Sequence, residues 1–370
     1  MDSPPQQAKG AFAPVGAVRT SVYRVPTDRP ESDGTLEWDA TTAIVVELAA
    51  GEETGLGYTY GHAAVAAVID STLAPLLEGA DPLAPPQAWA RMQAKVRNAG
   101  REGVCAMAIS ALDIALWDLR AKLLGVSLAD ALGRCREAIP AYGSGGFTSY
   151  SDSELAAQLA GFAAQGFERV KIKVGREPAA DPHRLAVARA AIGDRVALMV
   201  DANGAFDRRT AARWAERYAE AGVDYFEEPV PSDDLEGLRW LRDAAPAGVA
   251  IAAGEYAWDL PELEALAGCV DVLQADATRC AGPTNVRRAD GICRARHLPF
   301  SAHCAPQVSA HLCCAMETAV DVEYFHDHSR VEQLLFDGAV VPAGGLLRPD
   351  RSRPGLGIEL RHSDAERFRA

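Results

Sequence analysis

Three acidic residues each stand just past a short apolar run: Asp201 after VALMV, Glu227 after VDYF and Glu255 after VAIAAG. The intervals between them are 26 and 28 residues. That is about the length of one strand, one helix and their loops, so three successive βα units would each end in a carboxylate. Taken singly, each acid reads as a helix N-cap or a salt-bridge partner. Taken together, three carboxylates in one mouth repel, and a divalent cation bound through oxygens removes that cost. Hard ligands of this kind suit Mg²⁺, which keeps water or substrate oxygens in its other positions.

Basic groups flank the acids. In the run KIK the period of two sends Lys171 and Lys173 to one side of a strand and Ile172 to the other. Two close ammonium groups repel, so at least one is expected to have a lowered pKa and to serve as a base. LQAD ends in Asp276 and FSAH in His303. Adjacent strands would set them side by side, the carboxylate fixing the imidazole tautomer and raising its basicity. Asn203 shares a strand face with Asp201, and Glu323 ends a further strand. Glu228 alternates away from Glu227. Cys304 follows His303 and by the same alternation points away from it, which argues against a nucleophilic thiol.

The elements that must position these residues are legible as a repeat. Strand candidates at 139–144, 169–174, 195–203, 223–229, 249–255, 270–276, 298–303 and 319–325 alternate with amphipathic helical stretches. Eight such units make a (β/α)₈ barrel, whose active site lies at the C-terminal strand ends. Before them, AVRTSVYRV pairs with TTAIVVEL across an irregular loop containing TDRPESDG, followed by the Gly-rich turn GEETGLGYTYG and three helices. The expected fold class is therefore α/β, a TIM-like barrel of seven or eight units with an α+β N-terminal capping domain. The expected division is 1–136 for the cap, with 1–12 disordered, 137–337 for the barrel, and 338–370 for a C-terminal segment packing back on the cap.

Composition narrows the function classes. The chain has 370 residues, 48% hydrophobic and 24% charged, as an ordinary globular protein would. A net charge of −14 argues against nucleic-acid binding, which needs clustered Lys and Arg. No apolar run approaches the roughly 20 residues of a spanning helix, so no membrane partner is expected. Eight scattered cysteines without a CxxC pair suit a reduced cytoplasm.

The ordered set KIK (171–173), DAN (201–203), FEEP (226–229), AAGE (252–255), QAD (274–276), SAH (301–303) and a glutamate on the eighth strand resembles the enolase superfamily, within it the mandelate racemase subgroup. The resemblance covers nearly the whole chain, including AISALDIALWDLRAKLLG (108–125) and the GEETGLG turn. It implies one Mg²⁺ per subunit held by Asp201, Glu227 and Glu255. It also implies Lys173 as a base with Lys171 tuning it, His303 paired with Asp276 as acid/base on the opposite face, and Glu323 bonded to the substrate carboxylate. Relatives are commonly dimers or octamers, so a homo-oligomer is implied.

The chemistry follows from the weak acidity of a proton next to a carboxylate. Its removal puts two charges on the carboxyl oxygens as an enediolate, which a cation and hydrogen-bond donors stabilise. With a β-hydroxyl present, protonated His303 expels it as water; without one, the same group returns a proton and inverts the carbon. The leading expectation is dehydration of a sugar acid, aldonate or aldarate, to a 2-keto-3-deoxy acid. Racemisation or epimerisation, lactone cycloisomerisation and a non-catalytic metal-binding barrel are the alternatives. The muconate-lactonising reading is weakened by Asp276 standing where that subgroup carries a lysine. Specificity is expected from the N-terminal loops, with Tyr23, Arg24, Tyr58, Tyr60 and His62 as partners for substrate hydroxyls. HDHS (326–329) either lines the same cavity or caps a helix.

Overall fold

An antiparallel meander of β1 (Val18–Ser32), β2 (Glu37–Ala50) and β3 (Glu53–Tyr60) opens the fold in the computed structural model, which describes residues 12–370. The expected disordered leader, but for residue 12, lies outside the described residues. Part of the segment expected as an irregular loop is strand: β1 runs on to Ser32, where Glu31 and Ser32 pair with β2, and the register shifts between Pro26 and Glu31. Pro26 and Pro30 have no N–H to give a ladder, which places the irregularity there.

The helix Val104–Leu123 lies across β3 and is buried along most of its length. Contact is this close because Gly57 has no side chain: a Cβ there would meet the Ala111 carbonyl at 2.0 Å. Two buried acids on the helix tie the layers together. Asp118 accepts from the backbone N–H of Leu56 at 2.7 Å and of Leu356 at 2.6 Å, joining the cap to the C-terminal segment. Asp113 accepts from Thr284 N–H at 2.7 Å, joining the helix to the barrel. Each bond satisfies a polar group that burial would otherwise leave costly.

The barrel has eight parallel strands: β4 (Ile139–Gly145), β5 (Arg169–Lys173), β6 (Ala197–Asp201), β7 (Val223–Glu227), β8 (Ala250–Ala253), β9 (Val272–Ala275), β10 (Phe300–Ala302) and β11 (Ala319–Phe325). Pairing of β11 with β4 closes it. A helix follows each strand, the one after β10 spanning Pro306–Cys314. Tyr142, Met199, Tyr225, Ala252 and Val272 fill the interior below the mouth, a packed core rather than a pore. Residues after the barrel return to the cap, where Ala370 N–H donates to the Val22 carbonyl at 3.0 Å. No helix among the described residues is long and apolar enough to cross a membrane.

Candidate active site

Strand register brings the chemistry together. Lys173 lies opposite Asp201 on the neighbouring strand, Asp201 opposite Glu227, and Glu227 opposite Ala252, so the last residues of β5, β6 and β7 form one tier at the barrel mouth. Lys171, two residues earlier, sits one tier deeper, opposite Met199. Glu255 joins the tier from just beyond β8 because Gly254 makes the turn. Its φ is +133°, and a Cβ there would lie 2.1 Å from the Gln274 carbonyl, so only glycine fits.

One carboxylate oxygen from each of Asp201, Glu227 and Glu255 lies within 4.8 Å of the other two, all buried. Neighbours fix the acids: Gln274 Nε2 donates to Glu227 Oε2 at 2.8 Å, and Asn203 N–H to Asp201 Oδ1 at 2.9 Å. Lys171 Nζ lies 2.5 Å from Glu227 Oε1 and 2.8 Å from Glu323 Oε1; Lys173 Nζ lies 2.5 Å from Asp201 Oδ2. The expected depression of a lysine pKa is not what this arrangement produces. Burial pulls both ammonium groups down, but Glu227 and Glu323 beside Lys171, and Asp201 beside Lys173, outweigh it and hold both above the ordinary lysine range. Acid still exceeds base. Burial, with Asp201, Glu323 and Glu255 nearby, pushes Glu227 up to about 8 against the pull of Lys171. A hard divalent cation fits such a set, since it supplies the missing positive charge to oxygen donors that already converge.

From β10, His303 Nδ1 lies 2.8 Å from Asp276 Oδ2, and Asp276 Oδ1 accepts from Thr278 N–H and Oγ1, both at 2.6 Å. Asp276 therefore aims the ring, leaving Nε2 toward the mouth, 2.9 Å from Glu255 Oε2 and 3.4 Å from Glu323 Oε2. Burial disfavours the imidazolium, yet Cys304, Glu255, Glu323 and the Asp276 bond together raise its pKa well above that of a free histidine.

Above this tier a cavity of about 690 Å³ opens between barrel and cap, a size suited to a small ligand. Lys173, Asn203, Glu255, His303, Tyr60 and His62 line it. Lys171, Asp201, Glu227, Asp276 and Glu323 lie buried around its floor. Three expected cap residues are elsewhere. Tyr58 is one step back on β3, covered by the helix His326–Leu335, where its Oη donates to Glu332 Oε1 at 2.5 Å. Tyr23 is buried and bridges to Arg369, and Arg24 is exposed and paired with Asp39 at 2.7 Å.

Cys304 also departs from expectation. Its φ of +50° breaks the strand alternation, so Sγ swings back to 3.2 Å from His303 Nε2 and 3.3 Å from Glu323 Oε2, and it lines the cavity. Sequence reasoning passed over Trp38, Tyr256 and Arg279 as lining residues. Tyr256 adjoins Glu255 and Arg279 follows Asp276 by three, a proximity that could have flagged them. Asp327 and His328, left open between cavity and cap, line the cavity.

Comparison with known proteins agrees with this geometry. Residues 19–133 match the mandelate racemase/muconate lactonizing enzyme N-terminal domain, and residues 154–365 the enolase C-terminal domain-like family. The chain belongs to the mandelate racemase/muconate lactonizing enzyme-like enolase superfamily. It is 30% identical to D-galactarolactone cycloisomerase of Agrobacterium fabrum over 377 residues, 96% of this chain and 98% of that protein. A mandelate racemase/muconate lactonizing enzyme-like protein from Rubrobacter xylanophilus is 61% identical, with a TM-score of 0.95 over 96% of this chain and 100% of that one. The structure of L-talarate/galactarate dehydratase from Salmonella typhimurium LT2, liganded with Mg and L-lyxarohydroxamate, gives a TM-score of 0.90. It is 27% identical and covers all of this chain and 96% of that one. These relatives include both a cycloisomerase and a dehydratase, so superfamily membership leaves the overall reaction open.

Proposed function

We propose that this protein is a Mg²⁺-dependent sugar-acid dehydratase that removes the proton α to a carboxylate and expels the β-hydroxyl as water. The observation that carries this reading is the convergence of Lys173 and His303 on one cavity, from strands on different sides of the Asp201–Glu227–Glu255 cluster. Those three carboxylates would hold one Mg²⁺. Bound there, the ion supplies positive charge where the substrate carboxylate gains negative charge, which is usually the largest contribution to catalysis of this kind.

The chain's own groups account for the proton movements. Lys173 takes the α-proton through Nζ, and for that it must be neutral. Asp201, with Glu255 and Glu323 beyond it, keeps it charged here, and a competing partner for Asp201 would weaken the strongest of these holds. Lys171, braced by Glu227 and Glu323, stays charged and steadies the electron density that gathers on the carboxyl group. His303, aimed by Asp276, gives the Nε2 proton to the β-oxygen as the C–O bond breaks. The C–H electron pair becomes the new C=C bond, water leaves, and the enol tautomerises to a 2-keto-3-deoxy acid.

The similarity to D-galactarolactone cycloisomerase along nearly the whole chain favours a second reading. There the same base opens a lactone, the ring oxygen leaves instead of water, and the product is an isomer. A racemase or epimerase would use the same pair without any leaving group. Purified protein incubated with aldonic acids, aldaric acids and their lactones in D₂O, with Mg²⁺ or with EDTA, separates the three. Dehydration gives 2-keto acid from free acids, cycloisomerisation consumes only lactones, and racemisation gives α-deuteration without keto acid. Absence of turnover and of α-proton exchange in every compound would sink all three.

A further inference from the structure

The two poles of the cavity differ in charge. At the barrel pole stand the lysines and the carboxylate cluster. The cap pole is lined by Asp33, Glu37 and Asp327, with Trp38 and Thr41 between them, and His328 stands beside it toward the barrel, where Asp276, His303, Arg279 and Glu323 act on it. Among the described residues, Lys173 and Arg279 are the only Lys or Arg side chains lining the cavity. Arg279 is on the barrel side, where it reaches the Glu255 carbonyl at 3.2 Å and Asp276 at 3.5 Å. Cations near the cap pole are engaged: Arg176 with Glu37, Arg24 with Asp39, and Arg330 with Asp28 and the Pro26 carbonyl.

The polar groups of the cap pole are set for neutral partners. Asp327 Oδ2 accepts from Trp38 Nε1 at 2.9 Å and from Thr41 Oγ1 at 3.2 Å, which fixes the carboxylate at the wall. Glu31 lies behind it, pushed up to about 9 by burial and by Asp327, so it stays protonated at neutral pH. His328 Nδ1 accepts from Ala305 N–H at 3.4 Å, so the ring hydrogen sits on Nε2, for which no acceptor appears among the described residues. Tyr60 stacks on that ring at 3.7 Å, and burial lowers the His328 pKa to about 3, so the imidazole remains an uncharged donor.

A hydroxyl group both donates and accepts, and this pole offers carboxylate acceptors beside a neutral imidazole donor. A second carboxylate would face Asp33 and Asp327 with no free Lys or Arg beside them among the described residues, Glu37 being already paired with Arg176, and like charges meeting across a desolvated surface cost several kcal/mol. An ammonium group would leave the His328 donor unpaired. Resting on the dehydratase reading above, we propose that the substrate is a monocarboxylic sugar acid. Its carboxylate sits at the barrel pole and only its hydroxyls reach Asp327 and His328, so aldonic acids are accepted and aldaric acids refused.

The test uses matched pairs that differ only in oxidation of the terminal carbon, such as gluconate with glucarate and galactonate with galactarate, assayed with Mg²⁺ for α-proton exchange and for kcat/KM. The expected result is a preference of at least about 100-fold for the monoacid of any pair that reacts. Asp327→Asn is expected to narrow that preference about 10-fold, and Thr41→Lys, which adds a cation at the same wall, to narrow it further. A diacid that reacts as well as its monoacid overturns the inference while leaving the dehydratase reading intact. A preference unmoved by both substitutions overturns the assignment to this pole. If neither series forms a 2-keto acid or exchanges its α-proton, the dehydratase reading falls and the inference falls with it.

Discussion

Replacing Gly34 by alanine tests whether the cap and the barrel make one site. Gly34 sits in the turn between β1 and β2, and a Cβ there would lie 2.4 Å from the Ala202 carbonyl and 2.7 Å from the Val174 carbonyl. Ordinary contact begins near 3.4 Å, so the added carbon is about 1 Å too close. Val174 and Ala202 directly follow Lys173 and Asp201, and neither can retreat. Val174 N–H is bonded to the Asp201 carbonyl at 2.9 Å, Ala202 N–H to the Glu227 carbonyl at 3.1 Å, and both residues are fully buried. The turn must therefore lift, carrying Asp33, Leu36, Glu37 and Trp38 away from the cavity they line. A displacement of about 1 Å in a positioning element costs on the order of 100-fold in kcat/KM. The assay is kcat/KM on the acid with the strongest α-proton exchange, with circular dichroism and thermal melting to show that the fold persists. Gly291→Ala is the control, since its Cβ would meet nothing within 4 Å and it lies in the helix Pro283–Arg296. A Gly34→Ala enzyme within about threefold of the parent, with its turn unmoved in a crystal structure, would refute the reasoning.

Lys173→Met is expected to lower α-proton exchange by roughly 10³-fold, within the usual range for removal of a general base, while Mg²⁺ binding by calorimetry persists. Loss of binding together with loss of exchange would assign Lys173 to the metal site instead. Mg²⁺ at about 100 times its Kd is expected to stabilise the fold by about 2.7 kcal/mol, measured by denaturant melts with and without EDTA, and Asp201→Asn to abolish most of that gain. Acid sensitivity is expected from His311, whose neutral ring accepts from Ala129 N–H and bonds the Leu356 carbonyl, both at 3.1 Å. Burial lowers its pKa from 6.5 to about 4. A depressed histidine favours the fold above the unfolded value and loses that contribution as pH falls, so about 3 kcal/mol should disappear between pH 6.5 and 4. Urea melts across that range should slope less steeply for His311→Gln; an unchanged slope counts against the assignment.

What the sequence made legible is what a strand's period of two determines by itself. KIK places Lys171 and Lys173 on one face, and equal βα spacing carries Asp201, Glu227 and Glu255 to one end, so the floor of the site follows from local pattern plus closure of the barrel. Alternation stops where the chain leaves the strand. Glu228 and Cys304 have φ values of +39° and +50°, a region L-residues enter at a cost, and each turns its side chain where the pattern would not put it. The Glu228 carboxylate accepts from Gly254 N–H at 2.9 Å, and the Cys304 thiol returns to His303. In the cap, the register shift between Pro26 and Glu31 separates Tyr23, which packs inward, from Trp38, which faces the cavity, so no count along β1 and β2 could relate them.

The division has a functional consequence. The groups proposed to move protons and to hold the metal are fixed by strand register and buried partners, whereas the groups at the cap pole depend on contact between segments far apart in sequence. Thr41 and Asp327 meet at 3.2 Å across nearly the whole chain, and Gly34 meets Ala202 only because it lacks a side chain. A substitution at the Thr41–Asp327 contact can therefore change which acid is admitted without disturbing how its α-proton is removed, whereas Gly34→Ala lifts the whole turn and costs rate as well. The same independence lets substrate preference and exchange chemistry be measured as separate properties of one cavity.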